Sequence, residues 1–223
     1  DVLIKGTVVD DSTGAPLPNT HVFISGSMTG TTVDEDGRFR LSGLSTGAKR
    51  LYVTRLGYTP EQRDLLLRRD TTLSFSFRLQ RTVIEANEVT ISAPRSDEWY
   101  DRLRRFKRLF VGESPRARRC YLLNPEVLRF DTAWWGKFEA EAHRPLRFEN
   151  RALGYRVTYH LKEFEVNGDI VRWDGEPVFK ELTAQDSAQA RRWAQNRREA
   201  FSGSLLHFLL ALLHDRLNEE QFT

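Results

Sequence analysis

The sequence predicts a mainly β N-terminal half followed by an α+β C-terminal module. Residues 1–80 consist of short runs of alternating apolar and polar residues, separated by Gly, Pro, Asn and Asp, which is the pattern of a β-sandwich. After residue 97, helical periodicity is followed by strand-type alternation and then by helical periodicity again. The chain has 223 residues, of which 39% are hydrophobic and 11% aromatic, so it can form a core and is not a disordered chain.

About seven strands are expected in the first 80 residues, at the spacing of a sandwich. Glycines follow Asp or Thr at positions 14, 37 and 47, where tight turns require positive φ. Every second residue from 73 to 79 is Leu or Phe, so one face of the last strand should lie in the core. The expected strands are VLIKGTVVD, THVFISG, GTTVD, RFRL, KRLYVTRLGY, RDLLLRR and TTLSFSFRLQ.

A polar connector separates the two halves. Residues 83–91 have strand-type alternation and could add one strand, whereas residues 93–96 have the composition of a linker that ends in a helix N-cap. We therefore expect a sandwich domain at 1–80, a linker with a possible extra strand at 81–96, and a second domain at 97–223.

The second domain is predicted to begin and end with helices. Apolar residues recur at helical spacing in residues 99–110, with arginines and a lysine on the remaining surface. Residues 138–183 alternate as three or four antiparallel strands, with Asn-Gly at 167–168 as a hairpin turn. Two further helices are expected at 188–201 and 205–217, and the second is apolar on nearly every side.

Composition excludes several classes of protein. Lys and Arg number 34 against 31 Asp and Glu, which gives a net charge of only +3 on a mixed surface, and we expect no nucleic-acid partner. The longest apolar run, at 205–213, is far shorter than the roughly 20 residues that a membrane-spanning helix requires. Cys120 is the single cysteine, so no internal disulfide can form.

No complete catalytic, metal or cofactor motif is present. His160 and Glu163 have the spacing of half a zinc site, but residues i and i+3 of a strand face opposite sides and no third ligand stands out. Asp34 and Asp36 precede a turn glycine and offer too few oxygens for calcium. We therefore expect no metal, no cofactor and no catalytic residue, and we interpret the chain as a protein that is not an enzyme.

Candidate binding residues flank the break between the last two helices. Asn196, Arg197, Ser204 and His207 form the most distinctive polar cluster of the chain. An arginine in such a corner can bind a ligand, or it can pair with a carboxylate and cap carbonyl groups. Ser204 can act as a helix N-cap, a position at which serine is strongly preferred. It is only a weak candidate for a nucleophile, because the full Gly-x-Ser-x-Gly elbow is missing.

A pair of tryptophans, Trp134 and Trp135, is a second candidate binding feature. Adjacent indole rings can stack on a sugar or on a peptide. Paired tryptophans at the junction between a loop and a strand more often fill the core, however. The sequence leaves both interpretations open.

The first 80 residues resemble the carboxypeptidase-like regulatory domain, a transthyretin-like β-sandwich. In that family the domain occurs beside metallocarboxypeptidase catalytic domains, at the N-terminus of outer-membrane receptors and in exported envelope proteins of Gram-negative bacteria. It is not itself the catalyst in any of them, so the resemblance implies that this half is not catalytic. The matching residues are Gly6, Thr13-Gly14, Pro16-Leu17-Pro18, Asn19, Gly30-Thr31-Thr32, Asp34 to Gly37, Phe39, Gly47 and Gly57-Tyr58.

The second half resembles the uncharacterised α+β module that follows this sandwich in bacterial envelope proteins. The resemblance lies in CYLLNPEVLRF, HRPLRFENRALGYRVTYHLKEF and AQNRREAFSGSLLHFLLALL. It implies a periplasmic or outer-membrane-associated location in a Gram-negative bacterium. Such modules continue beyond the LLHFLLALL helix, so we expect the module to be truncated at its C-terminus.

These observations favour a non-catalytic cell-envelope protein that acts in binding or assembly through protein or glycan recognition. Its partner is expected to be an envelope protein or an outer-membrane complex. Two alternatives remain open: a hydrolase acting on peptide or glycan through Ser204 and His207, and a structural subunit of an outer-membrane complex. A cleft with a perturbed histidine would favour the hydrolase, whereas a filled, hydrogen-bonded corner would favour the binding protein.

Overall fold

The structure is a computed structural model that describes residues 2–82, 95–132 and 136–222. The predicted extra strand at 83–91, the adjoining linker up to residue 94, and Trp134 and Trp135 lie outside the described residues. None of the helices in the described ranges combines the length and apolarity needed to cross a bilayer.

Seven strands form the N-terminal half, as the sequence predicts. They form two sheets, and the apolar side chains of both sheets meet in one core with Ile4, Val8, Leu51 and Val53 fully buried. The strands are β1 (Val2–Asp10), β2 (His21–Ile24), β3 (Gly30–Thr32), β4 (Arg38–Leu44), β5 (Gly47–Thr54), β6 (Glu61–Leu67) and β7 (Thr72–Leu79).

The two sheets of the sandwich differ in strand direction. The first has the order β4-β1-β7, in which β1 is antiparallel to β4 and parallel to β7. The second has the order β3-β2-β5-β6 and is antiparallel throughout. The second sheet is the one that faces the C-terminal half.

The C-terminal half combines helices with an antiparallel sheet, which confirms the predicted fold class. Two short 3-10 helices, Ala117–Arg119 and Pro125–Val127, interrupt the chain before the main strands. The α-helices are α1 (Asp97–Phe110), α2 (Ser187–Phe201) and α3 (Leu205–Leu213). The strands are β8 (Cys120–Leu122), β9 (Leu128–Thr132), β10 (Phe138–Ala142), β11 (Leu146–Asn150), β12 (Tyr155–Asn167) and β13 (Ile170–Glu181).

The long strand β12 organises this six-stranded sheet. On one side it pairs with β11 through residues 155–159 and with β10 through residues 165–166, and on the other side β13 follows it. Helix α1 covers one face of the sheet, where the fully buried ring of Phe106 lies 4.8 Å from Phe164 and 6.0 Å from Phe130 between ring centroids. This contact is the centre of the second core.

Helix α3 ends at Leu213, four residues before the predicted end. The backbone turns back after His214, where Asp215 takes a positive φ of 53° and the amide of Arg216 donates to the carbonyl of Ala211 at 2.8 Å. This left-handed residue terminates the helix. The apolar Leu217 continues the hydrophobic pattern in sequence, and so the pattern alone overestimates the helix.

The two halves are joined by β-type backbone hydrogen bonds. The turn between β2 and β3 lies against the free edge of β13, where Ser27 and Val178 form a parallel bridge. The amide of Gly26 donates to the carbonyl of Pro177 at 2.8 Å, and the amide of Phe179 donates to the carbonyl of Ser27 at 3.0 Å. The sandwich therefore extends the sheet of the C-terminal module, and these bonds fix the two halves relative to each other.

Candidate binding site

A buried carboxylate lies where the two halves meet. Glu176, on β13, is only 2% exposed, and its Oε1 atom accepts hydrogen bonds from Lys162 Nζ at 2.5 Å and from Arg50 Nη1 at 3.3 Å. Burial by itself would raise the pKa of Glu176, but the hydrogen bonds from Lys162 and Ser25 and the positive charges of Lys162 and Arg50 outweigh burial and lower it. Glu176 is therefore ionised, and its ion pairs connect β13 to β12 and to the sandwich.

Three aromatic rings lie next to Glu176 where the two halves meet. Phe23 lies 5.3 Å from Tyr52 and 5.4 Å from His160 between ring centroids, and Tyr52 lies 5.7 Å from His160. Burial lowers the pKa of His160 to about 4, and the nearby charge of His21 adds to this effect. His160 is therefore neutral at neutral pH and offers a ring nitrogen as a hydrogen-bonding group without a charge.

A cleft of about 880 Å³ opens beside these rings, and we call it the junction cleft. One wall belongs to the sandwich and includes His21, Tyr52 and the turn at residues 55–58. The other wall belongs to the C-terminal module and includes the turn at residues 143–145 and part of β12. The cleft therefore exists only because the two halves are docked.

The turn on the sandwich wall is fixed by its own hydrogen bonds. The amide of Tyr58 donates to the carbonyl of Arg55 at 3.2 Å, and Gly57 between them has a positive φ of 83°. The hydroxyl of Tyr58 donates to the buried carboxylate of Asp10 at 2.9 Å, and Arg81 donates to the same oxygen at 2.7 Å. These bonds hold the Tyr58 ring, over which the Arg55 guanidinium lies at 5.8 Å.

The turn on the module wall is held by one buried asparagine. Asn124 is 4% exposed, its Nδ2 donates to the carbonyl of Pro145 at 2.9 Å and its Oδ1 accepts from the amide of Arg147 at 2.7 Å. His143 and Arg144 lie in this turn and line the cleft. Burial lowers the pKa of His143, and the charge of Arg144 adds to the effect. Both cleft walls therefore present side chains from constrained turns.

A second cleft, of about 870 Å³, lies on the other side of His21 and His160. It is lined by parts of β2, β3 and β13, including Phe23, Met28 and Val178. Its charged lining residues, Lys180 and Glu181, have opposite signs.

The predicted binding residues Asn196 and Arg197 lie on α2 and hold the turn before β12. Asn196 Nδ2 donates to the carbonyl of Ala152 at 2.7 Å, and Arg197 donates to the carbonyls of Leu153 at 2.7 Å and Gly154 at 3.2 Å. Arg197 also pairs with a carboxylate, that of Glu181, at 2.7 Å. Their polar groups are thus engaged within the chain, and neither residue lines the junction cleft.

Ser204 and His207 lie together at the start of α3. Ser204 Oγ accepts from the amide of His207 at 3.1 Å and so acts as the N-cap. His207 Nδ1 accepts from the amide of Gly203 at 3.1 Å, and His207 Nε2 lies 3.1 Å from a carboxylate oxygen of Glu220. Both ring nitrogens are therefore engaged by groups other than the serine hydroxyl. Trp134 and Trp135, the remaining candidates, lie outside the described residues.

Sequence reasoning did not identify Arg55, Arg144 or Tyr52 as site residues, and it considered His160 only as a zinc ligand. These residues come from segments far apart in the chain, and no local motif connects them. The available signal was Arg55 in the turn after a buried strand, because side chains in constrained loops often carry function. In the described chain, no group of three or more His, Cys, Asp or Glu side chains could hold a metal ion.

The sandwich, the docked α+β module and the cleft between them define a two-module protein of mainly β structure. Residues 4–91 match the sequence model of the family described as CarboxypepD_reg-like domain. This match confirms the family resemblance of the N-terminal half. Among curated proteins, none matches the chain.

Solved structures resemble this fold only distantly. One is a chain of a type II cohesin–X-dockerin complex from Acetivibrio cellulolyticus, with 20% identity, a TM-score of 0.31, and a match over 36% of this protein and 56% of that chain. Another is a DUF3823 family protein from Bacteroides ovatus, with 9% identity, a TM-score of 0.29, and a match over 82% of this protein and 83% of that chain. This protein thus spans little more than half of the cohesin–X-dockerin chain, and similarity at this level says nothing about function.

Proposed function

We propose that the protein is a non-catalytic binding protein of the cell envelope and that it recognises its ligand in the junction cleft. The main support for this proposal is that the two walls of the cleft are held in place by backbone hydrogen bonds and by the buried Glu176. Its volume of about 880 Å³ is within the range of ligand sites. Walls that are already ordered bind without a large entropic loss.

We place the protein in the periplasm or at the outer membrane of a Gram-negative bacterium. The support is the CarboxypepD_reg-like match at residues 4–91, because domains that resemble it occur in exported envelope proteins of such bacteria. An envelope protein or an outer-membrane complex is accordingly the proposed partner. A role as a structural subunit of such a complex is compatible with the same location.

A hydrolase that uses Ser204 and His207 is less well supported. A nucleophilic serine needs a base within hydrogen-bond reach of its hydroxyl. Here Gly203 and Glu220 engage the two ring nitrogens of His207, and the Ser204 oxygen is engaged by a backbone amide. The junction cleft does contain a histidine with a lowered pKa, His160. Among the described residues, however, no Ser, Cys, Asp or Glu lines that cleft to serve as a nucleophile or as a second acid–base group. We therefore favour binding over hydrolysis.

Blocking the junction cleft is expected to abolish ligand binding. Leu56 lines the cleft and is 69% exposed, whereas Leu66 on β6 is 67% exposed and does not line it. In a Cys120→Ser background, Leu56→Cys carrying a bulky maleimide should lose at least tenfold in affinity for a ligand found on glycan and peptide arrays. Leu66→Cys with the same label should bind as the unlabelled protein does. Equal effects of the two labels would contradict the proposed site, and a mass change of the bound ligand would contradict a non-catalytic role.

Assembly with an envelope protein is a second candidate function, and the surface of α3 favours it. The helix is apolar at every position except His207, and only Ala211 is buried. Five leucines are between 49% and 76% exposed, namely Leu205, Leu206, Leu209, Leu212 and Leu213. Contiguous apolar surface of this kind is typical of protein interfaces. We propose that α3 packs against an apolar groove of a protein partner.

Charge introduced on α3 is expected to release that partner. Leu209→Asp should leave folding intact, because Leu209 is 49% exposed, and should reduce recovery of a stoichiometric envelope partner at least tenfold. Leu66→Asp is the matched control, since Leu66 is an exposed leucine on the sandwich. Quantitative mass spectrometry of tagged protein purified from envelopes measures the ratio. Undiminished recovery with Leu209→Asp would show that α3 is not the contact.

A further inference from the structure

The charged side chains that line the junction cleft are all basic. Arg55 lies on the sandwich wall, while Arg144 and Lys162 lie on the module wall. Within the described chain no Asp or Glu lines the cleft, although the protein has 31 acidic residues. Glu176 neutralises Lys162, but none of the ion pairs among the described residues involves Arg55 or Arg144. Among the described residues, the cleft therefore carries positive charge from both walls that no ion pair compensates.

Arg55 also has a buried nitrogen that lacks a hydrogen bond. Its Nη1 atom is buried and has no partner among the described residues, while the guanidinium lies over the Tyr58 ring at 5.8 Å. An unsatisfied buried donor is unfavourable, and more so when it is charged. The turn that carries Arg55 is nevertheless held in place by hydrogen bonds at Tyr58. Arg55 lines the cleft, and a planar guanidinium matches a carboxylate through two parallel hydrogen bonds.

Neutral polar groups and rings lie beside the two arginines. Asn19 and Thr82 are exposed, line the cleft and can exchange hydrogen bonds with hydroxyl groups. The side chains of Tyr58 and His160 supply ring surface, and His160 is neutral because burial lowers its pKa. The cleft is much larger than a single carboxylate or phosphate group requires. Hydroxyl-binding groups, ring faces and isolated arginines together suit a sugar chain that carries carboxylates.

We infer that the ligand of the junction cleft is an acidic oligosaccharide whose carboxylates pair with Arg55 on the sandwich wall and with Arg144 on the module wall. This inference rests on the proposed binding function and specifies its ligand. Tyr58, His160 and the neutral polar side chains contact the sugar rings and hydroxyls. Since Arg55 and Arg144 belong to different halves, the ligand bridges the sandwich and the module.

Calorimetric titration of the whole chain tests this inference. The probes are uronate oligosaccharides (trigalacturonate, a hyaluronan tetrasaccharide and trimannuronate), the neutral galactotriose, and sodium acetate. We expect at least one uronate oligosaccharide to bind at least tenfold more tightly than galactotriose and acetate. Its affinity should fall at least tenfold in Arg55→Gln and in Arg144→Gln, and it should weaken as sodium chloride is raised.

Arg40→Gln is the matched control, because it removes one exposed arginine from β4, which does not line the cleft. It should leave the affinity within twofold of the wild type. Arg55→Gln should unfold at the same or a higher urea concentration than the wild type, because it removes an unsatisfied buried donor. Lost binding in a variant of undiminished stability would identify Arg55 as a ligand-binding residue.

Several results would overturn the inference. They are no binding of any uronate oligosaccharide, equal affinity for galactotriose, equal affinity for acetate, or equal losses in Arg55→Gln and Arg40→Gln. A failure of the inference can be told from a failure of the proposed function. If a neutral glycan or a peptide binds and the maleimide on Leu56→Cys blocks it, the cleft is the site and only the acidic class is wrong. If that label has no effect on any ligand, the cleft itself is wrong.

Discussion

Replacing Glu176 by alanine is expected to lower the free energy of unfolding by about 2 to 3 kcal/mol, because it removes a buried carboxylate from two cations. Glu176 is 2% exposed, whereas the side chains of Arg50 and Lys162 are 40% and 28% exposed and can regain water. This access to solvent keeps the expected loss below that of a fully buried pair. Urea unfolding followed by circular dichroism measures the change.

Asp64→Ala is the matched control for this prediction. Asp64 also pairs with Arg50, at 2.7 Å, but its side chain is 69% exposed. We therefore expect its removal to lower the free energy of unfolding much less than the removal of Glu176 does. If the two variants lose equal stability, Glu176 does not pin the two halves together. Glu176→Ala should also weaken ligand binding, since Lys162 and both cleft walls depend on this junction.

The pH dependence of stability separates Glu176 from His160. The pKa of Glu176 is lowered from 4.5 in the folded state, so its contribution is complete above about pH 4.5 and is lost as the pH falls through the folded value. The pKa of His160 is lowered from 6.5 to about 4 by burial, so the unfolded chain takes up a proton first and stability falls between these values. Glu176→Gln should remove the lower window, and His160→Gln should remove the upper one.

The sandwich could be predicted from the sequence because each of its strands and turns is specified by residues that are close together in the chain. Alternation in β7 and the turn glycines at positions 14, 37 and 47 specify strands and turns within a few residues, and the structure has the seven strands that these signals predict. The family motif adds to this local signal. Strands β8 and β9 were not predicted, because they are short and lie next to 3-10 helices, where alternation is too brief to detect.

The junction cleft could not be predicted in the same way. His21 and His160 meet there because the β2–β3 turn docks on the edge of β13, and this contact depends on backbone hydrogen bonds that carry no side-chain signal. The sequence did indicate that Arg197 can cap carbonyls, and the structure places it on Leu153 and Gly154. Sequence patterns thus identify the role of a residue within an element more readily than its neighbours across two modules.

Trp193→Ala is expected to cause the largest loss of stability, about 3 to 5 kcal/mol. Trp193 is 8% exposed, and its Nε1 donates to the carbonyl of Arg151 at 3.0 Å. The indole therefore fills buried space and also provides a hydrogen bond to a carbonyl group in the turn before β12. Trp173→Ala is the matched control, because Trp173 is 53% exposed and should cost less than about 1 kcal/mol. Equal losses in the two variants would show that α2 is not anchored by this ring.

Gly154 gives the same prediction a second, independent test. A Cβ atom at Gly154 would lie 2.3 Å from the indole of Trp193, and the residue has a positive φ of 71°. Gly154→Ala should therefore combine a backbone penalty of about 1 kcal/mol with an overpacking penalty of about 1 to 3 kcal/mol. In a Trp193→Ala background only the backbone penalty should remain, because the ring that a Cβ would meet is gone. A double-mutant cycle by urea unfolding measures this coupling, and additive losses would mean that the ring and the turn do not pack together as the structure has them.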